Sequence, residues 1–174
     1  MNKLGIGILF LIAILGIFIV SKNLIPEKEK VREKPLAKYT FENLRKRQNL
    51  ALPITLGHVL DEDESMISQM FYFNLRETIS GKSMLRKISG LINVPKTEGT
   101  YPIIIMMRGF VPKEIYTAGI GTKRAGEVFA REGFITLAPD FLGYGNSDNP
   151  SGNSIEERFQ TYTTGLSLLS SLSN

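Results

Sequence analysis

The chain of 174 residues contains no cysteine and no tryptophan, and its one histidine is His58. Without cysteine there is no thiol nucleophile, no Cys-ligated zinc and no iron–sulfur cluster; with one imidazole there is no multi-His metal centre. Neither a metal nor a cofactor is expected. A surplus of positive charge on the folded part is missing as well. The formal net charge is +4, but residues 48–174 hold 11 basic and 13 acidic residues, whereas residues 22–47 hold 9 basic and 4 acidic ones. A nucleic-acid reader needs its positive stripe on the domain, so nucleic acid is excluded as a partner. The basic excess lies instead beside an apolar run, as expected of a solvated stalk within reach of anionic lipid headgroups.

That run, Leu4 to Val20 (LGIGILFLIAILGIFIV), is 17 uncharged residues long. A helix crosses a hydrocarbon core with ~17–25 apolar residues, whereas a signal peptide has an apolar core of ~7–15 residues and ends in small residues at a cleavage site. Bulky Ile19 and Val20 stand where cleavage would need small side chains, so an uncleaved single-pass anchor is expected. The cations that follow it, Lys22, Lys28, Lys30, Arg32, Lys34 and Lys38, would by a strict positive-inside count keep the domain in the cytoplasm. The extreme N-terminal position with a short charged head resembles an export signal, and an extracytoplasmic domain is the expectation adopted. The chain then divides into residues 1–22 as anchor, 23–49 as charged stalk and 50–174 as domain. Within the stalk, Ala37 to Arg47 allows either a short amphipathic helix presenting Tyr39, Phe41 and Leu44 or a solvated linker.

Strand patterns begin near Pro53. Ile54 to Val59 reads as an edge strand, Gln69 to Arg76 as an aromatic-rich strand and Leu85 to Val94 as a third, which makes an antiparallel start to a sheet. Pro102 to Met107 (PIIIMM) is a continuous apolar run of the kind buried on both faces of a parallel sheet. From about Thr122 the spacing predicts a helix with Ala125, Val128 and Phe129 on its apolar face and Gly133 as its C-terminal cap. Phe134 to Ala138 is the next buried strand, so the unit is βαβ and the fold class is α/β. A turn-rich loop, Pro139 to Asp148, follows at the carboxyl end of that strand, where open α/β sheets place ligands. Phe159, Tyr162, Leu166, Leu169 and Leu172 predict the apolar face of a final helix.

The runs KISGLINVPK, YPIIIMMRGF, FAREGF and ITLAPDFLGYGNSD occur in the order and spacing of the front half of an α/β-hydrolase domain. Over residues 69–174 the chain resembles the prolyl oligopeptidase and dienelactone hydrolase families. The resemblance implies a serine hydrolase, a peptidase or an esterase acting on a peptide or ester, and with the anchor expected at Leu4 to Val20 the reading is a membrane-anchored one. The family's loop after its third strand, commonly His-Gly-x, lends a backbone N–H to the oxyanion hole, and here it falls on Arg108-Gly109-Phe110. Gly109 and the Phe110 N–H are therefore the candidate site, with Arg108 departing from the usual His. Asp140 is expected to hold the loop before Tyr144 by hydrogen bonding.

A hydrolase also needs a G-x-S-x-G elbow followed by an acid and a His. No such pentapeptide occurs: the runs from Gly145 through Ser147 and from Gly165 through Ser167 both lack the closing glycine, and His58 precedes every candidate nucleophile. The resemblance places the elbow after Asn174. The sheet is accordingly expected to be a truncated one, and the chain an inactive N-terminal fragment. Two other classes compete. A phosphate-binding loop needs glycines directly after a strand, and neither Gly119-Ile120-Gly121 with Gly126 nor Gly81-Lys82-Ser83 has that context. A non-catalytic, membrane-tethered binding domain remains the alternative. Oligomeric state leaves no mark in the sequence.

Overall fold

The computed structural model describes residues 34–47, 52–79, 82–150 and 153–173. The expected anchor and the first part of the stalk lie outside the described residues, and among those described no helix is long and apolar enough to cross a membrane. Residues Leu36–Asn174 form one compact unit.

The strands are β1 (Thr55–Glu62), β2 (Met66–Ile79), β3 (Lys82–Pro95), β4 (Ile103–Ile105) and β5 (Ile135–Pro139), in the sheet order β1-β2-β3-β5-β4. The hairpin of β2 and β3 runs in unbroken register from Met66↔Pro95 to Ile79↔Lys82. β1 is the outer strand, as expected, and its pairing with β2 shifts register on either side of Val59, which twists an edge away from flat pairing. β5 is antiparallel to β3 and parallel to β4, so the antiparallel start and the βαβ unit are both present.

The helices are α1 (Phe41–Lys46), α2 (Lys123–Arg131) and α3 (Ser154–Ser171). α2 lies over β3 and β5, and α3 over β2. Burial along β2 records this. Met66, Ser68 and Met70 are buried in its first half, and Phe71, Phe73 and Leu75 in its second, so the buried face changes phase at Met70 and Phe71. The second set forms the main core with Ile88, Ile92, Leu137, Leu142 and Leu168 of α3. On the opposite face a polar ladder crosses the sheet. The Ser68 hydroxyl donates to Asn93 Oδ1, Asn93 Nδ2 donates to Thr136 Oγ1 at 2.9 Å, and Thr136 Oγ1 donates to the Gly126 carbonyl of α2 at 3.4 Å.

Three expectations are corrected. Pro102 to Met107 is not a strand buried on both faces: β4 is three residues long, with Ile103 exposed and Ile104 and Ile105 half-buried. It is the outer strand of the described sheet, beyond the cover α2 gives to β3 and β5. α2 buries Gly126 and Ala130, leaving Ala125, Val128 and Phe129 exposed. The reason is the ladder beneath it: a Cβ at Gly126 would stand 2.7 Å from Asn93 Nδ2, so only the smallest face can approach. α3 likewise turns Gln160, Thr163, Thr164, Ser167 and Leu168 inward and leaves Tyr162 (64% exposed), Leu166 and Leu169 (56%) outside. The buried Thr163 and Thr164 hydroxyls are satisfied on their own helix, both donating to the Gln160 carbonyl, and Ser171 donates likewise to the Ser167 carbonyl.

The end of α2 follows the expected device. Gly133 has φ +86°, its N–H donates to the Ala130 carbonyl and the Phe134 N–H to that of Phe129, and the Phe129 and Phe134 rings meet edge to face at 5.9 Å. This is a Schellman closure with its apolar contact. At the other end of the unit, residues 36–47 fold as a 3-10 turn (Ala37–Tyr39) and α1, with Thr40 as N-cap. Tyr39 is buried, stacks on Phe159 at 5.0 Å and donates to Glu156 at 3.2 Å. Lys38 pairs with the same Glu156 at 2.5 Å. Of the three residues named for an amphipathic helix, Tyr39 is buried, Leu44 half-buried and Phe41 exposed.

Candidate functional site

Parallel strands β4 and β5 deliver two loops at their carboxyl ends, residues 106–112 and 140–150. The loops are joined by Arg108. Its Nη1 donates to the Gly109 carbonyl at 2.9 Å and its Nη2 to the Asp140 carbonyl at 3.0 Å, so one guanidinium bridges both strand ends. Aromatic rings surround it, with the guanidinium carbon 4.1 Å from the centroid of Tyr144, 4.6 Å from Tyr116 and 5.1 Å from Phe141. A planar, weakly hydrated cation suits such a cage; an imidazole would reach fewer of these partners at once. Tyr144 closes the loop from the other side by donating to the Val111 carbonyl at 3.1 Å.

Asp140 is fully buried behind this bridge. Its Oδ2 accepts from Ser89 Oγ at 2.5 Å and its Oδ1 from the Tyr116 hydroxyl at 2.6 Å. Burial pushes the carboxyl above its ordinary range, while the two hydroxyl donors and the Arg108 guanidinium pull the other way. The Tyr116 phenol is driven up by burial and by Asp140, so it stays protonated and remains a donor. Ser89 Oγ in turn accepts from the Asn146 N–H at 2.9 Å, and the Ser147 hydroxyl accepts from the Ser89 N–H at 2.9 Å. Gly145, at φ +54°, lies so close that a Cβ would meet Asp140 Oδ2 at 2.2 Å. Asp140 thus acts as the fastener of its loop, as expected.

Gly109 and Phe110 follow Arg108 directly. Among the described residues nothing accepts from the Phe110 N–H, and the Phe110 ring is 87% exposed. Gly109 does not have a left-handed φ, and a Cβ there would meet nothing within 4 Å. The space beside Gly109 in the loop is therefore open.

The remaining residues named from the sequence are not brought to this loop pair as catalysts. Ser147 is engaged by the β3 backbone, Ser167 is buried within α3, and His58 is exposed on β1 at the far edge of the sheet. Gly119 and Gly121 have φ of +81° and +84° and shape the turn into α2, Gly119 against Leu91. Lys82 and Ser83 begin β3 rather than a helix, and Gly81 lies outside the described residues. Ser89 and Tyr116 went unnoticed in the sequence. They stand 51 and 24 residues from Asp140, and no local pattern links them to it.

No family model and no curated protein matches the chain. Among solved structures it is similar to acetyl xylan esterase 1 from Thermoanaerobacterium sp., at 16% identity and a TM-score of 0.54 over 78% of this chain and 44% of that one. A mutant of the rice cell wall degrading esterase LipA from Xanthomonas oryzae matches at 15% identity and a TM-score of 0.37, over 71% and 40% of the two chains. A hydrolase from Legionella pneumophila matches at 18% and 0.36, over 65% and 31%. The chain spans less than half the length of these structures. The first likeness shows an α/β-hydrolase-like fold; the other two are too distant to add to it.

Proposed function

We propose that this chain supplies the front part of a membrane-anchored serine hydrolase, acting on an ester in preference to a peptide. The observation that carries the proposal is the Arg108–Gly109–Phe110 loop. It sits at the carboxyl end of a parallel strand, its backbone is bridged to the neighbouring loop through Arg108, and its Phe110 N–H has no acceptor among the described residues. Acyl transfer builds negative charge on a carbonyl oxygen, and a preorganised N–H aimed at that oxygen lowers the barrier by about 3 kcal/mol. Preorganisation is what the aromatic cage and the Asp140 hydrogen bonds provide. The choice of an ester is supported by the fold likeness to an acetyl xylan esterase. The nucleophile, acid and His are not among these 174 residues and would come from sequence beyond them.

The test is to express the whole reading frame to which these residues belong and assay p-nitrophenyl acetate beside a proline-containing chromogenic peptide. Phe110→Pro removes the N–H and should lower kcat by about 10²- to 10³-fold with little change in KM. Absence of turnover in the whole frame would leave the binding-domain alternative standing. Turnover indifferent to Phe110→Pro would remove the oxyanion role while keeping the hydrolase.

A further inference from the structure

One end of the unit combines exposed apolar side chains with unbalanced positive charge. At the closed end of the β2–β3 hairpin, Met84 and Leu85 are exposed, and Arg76 and Lys82 are exposed beside them. α1 is fastened to the same end, because Lys38 donates to the Thr78 carbonyl and Arg47 to the Arg76 carbonyl. It adds Arg45, Lys46 and a Phe41 that is 88% exposed. The acids nearby are already used: Glu42 is paired with Lys46 at 2.6 Å, and buried Glu77 and Glu156 face Arg86 and Lys38. A cleft of about 510 Å³ opens between α1 and the end of β2, with Lys38, Arg47 and Arg76 on its walls against one acid, Glu77, which faces Arg86.

We infer that this end rests on an anionic phospholipid surface, with Phe41 and Leu85 entering the headgroup layer and the Lys and Arg side chains pairing with phosphates. Isolated apolar residues ringed by cations are what interfacial binding requires: apolar burial gives depth, and cations respond to the negative surface potential. The inference rests on the membrane-anchored reading of Leu4 to Val20. From Val20 to Leu36 a fully extended chain reaches at most ~55 Å, which sets an upper bound on how far Leu36 can lie from any bilayer that the run enters.

The orientation bears on the proposed activity. β3 runs away from the hairpin tip and β5 runs antiparallel to it, so the carboxyl end of β5 points to the tip. The loop that follows is bonded to β3 at Lys87, where the Asp148 N–H donates to the Lys87 carbonyl. Lys87 is five residues of strand, about 17 Å, from Lys82. Docking by the tip therefore turns the Arg108 and Asp140 loops toward the lipid and favours substrates held at or in the membrane surface.

Because the chain has no cysteine, single probes can be placed without background. Phe41→Cys, Leu85→Cys and, as the distant control on β1, His58→Cys are labelled with a fluorophore in the full chain. Each is reconstituted into phosphatidylcholine vesicles and into equimolar phosphatidylcholine and phosphatidylserine, with lipid spin labels as quenchers. The expected result is strong quenching at positions 41 and 85 with phosphatidylserine, most of it lost in high salt or on adding Arg45→Glu and Lys46→Glu, and little at position 58. Equal quenching at all three positions, or no dependence on phosphatidylserine, overturns the inference. Flotation after carbonate washing reads the anchor separately, so a failed anchor and a failed surface are distinguishable.

Discussion

At the scale of single residues, Arg108 and Asp140 decide whether two loops hold their places. Arg108→Lys keeps the charge but cannot bridge two carbonyls from one planar group or fill the cage of Tyr116, Phe141 and Tyr144. A loss of about 1.5–3 kcal/mol is expected in a denaturant melt of the chain in detergent, the range for a hydrogen bond from a charged donor. An unchanged melt would mean that the bridge contributes nothing. Asp140 makes a prediction about pH. Its carboxyl titrates above the ordinary value in the folded state, so folding draws the proton toward it. Between the unfolded and the folded pKa the native state holds more protons than the unfolded one, and stability falls as pH rises through that window. D140N has no such term. The stability of the parent relative to D140N should therefore be greatest below the ordinary carboxylate pKa, shrink as the pH rises and level off once the buried carboxyl is ionised. A gap that widens with pH would reverse the sign and point to a carboxylate held charged by its donors.

At the scale of elements, close approach governs which helix face turns inward. Gly126→Val puts branched carbon where Asn93 Nδ2 and Thr136 Oγ1 already stand, at 2.7 and 3.1 Å from the position of a Cβ. Such overpacking costs about 1–3 kcal/mol, whereas Val128→Ala on the exposed face should change stability by no more than ~0.5 kcal/mol. α3 allows a sharper contrast between neighbours. Leu168 is buried in the main core and Leu169 is exposed, so truncation to Ala should cost about 2–5 kcal/mol at the first and close to nothing at the second. Similar losses at both positions would show that the stripe of Tyr162, Leu166 and Leu169 is covered in solution.

For the molecule as a whole, the described surface gathers apolar groups around β4. Ile103 and Met107 are exposed, Phe110 more so, and β4 pairs on one side only among the described strands. An apolar strand open on one side templates pairing with other chains, and an inward or edge charge suppresses it. Ile103→Lys should lower self-association of the chain, read as light scattering and as binding of a hydrophobic dye. A chain that is monodisperse without the substitution would show that this edge is harmless. The absence of G-x-S-x-G also predicts that these 174 residues alone hydrolyse neither p-nitrophenyl esters nor chromogenic peptides above background. Turnover abolished by Ser147→Ala or His58→Ala would refute that.

Short-range signals determined much of this fold. The βαβ order, the hairpin, the edge position of β1, the glycine closure after α2 and the loop at the end of β5 all follow from runs of fewer than about fifteen residues, because strand alternation, turn chemistry and helix caps are local. The resemblance on which Gly109, Phe110 and Asp140 were singled out also rests on short runs. Tertiary structure decided the rest. Periodicity placed Phe159 and Leu172 of α3 correctly against the unit, but it also marked Ala125, Val128 and Phe129 of α2 and Tyr162, Leu166 and Leu169 of α3, which stand exposed, since it cannot register that the sheet below α2 is polar and tightly approached, or that Thr163 and Thr164 satisfy their hydroxyls on their own helix. The partners of Asp140 are 24 and 51 residues away, and the fold of Tyr39 onto Phe159 spans 120 residues. Such contacts depend on which elements become neighbours, and that is settled by packing rather than by any pattern along the chain.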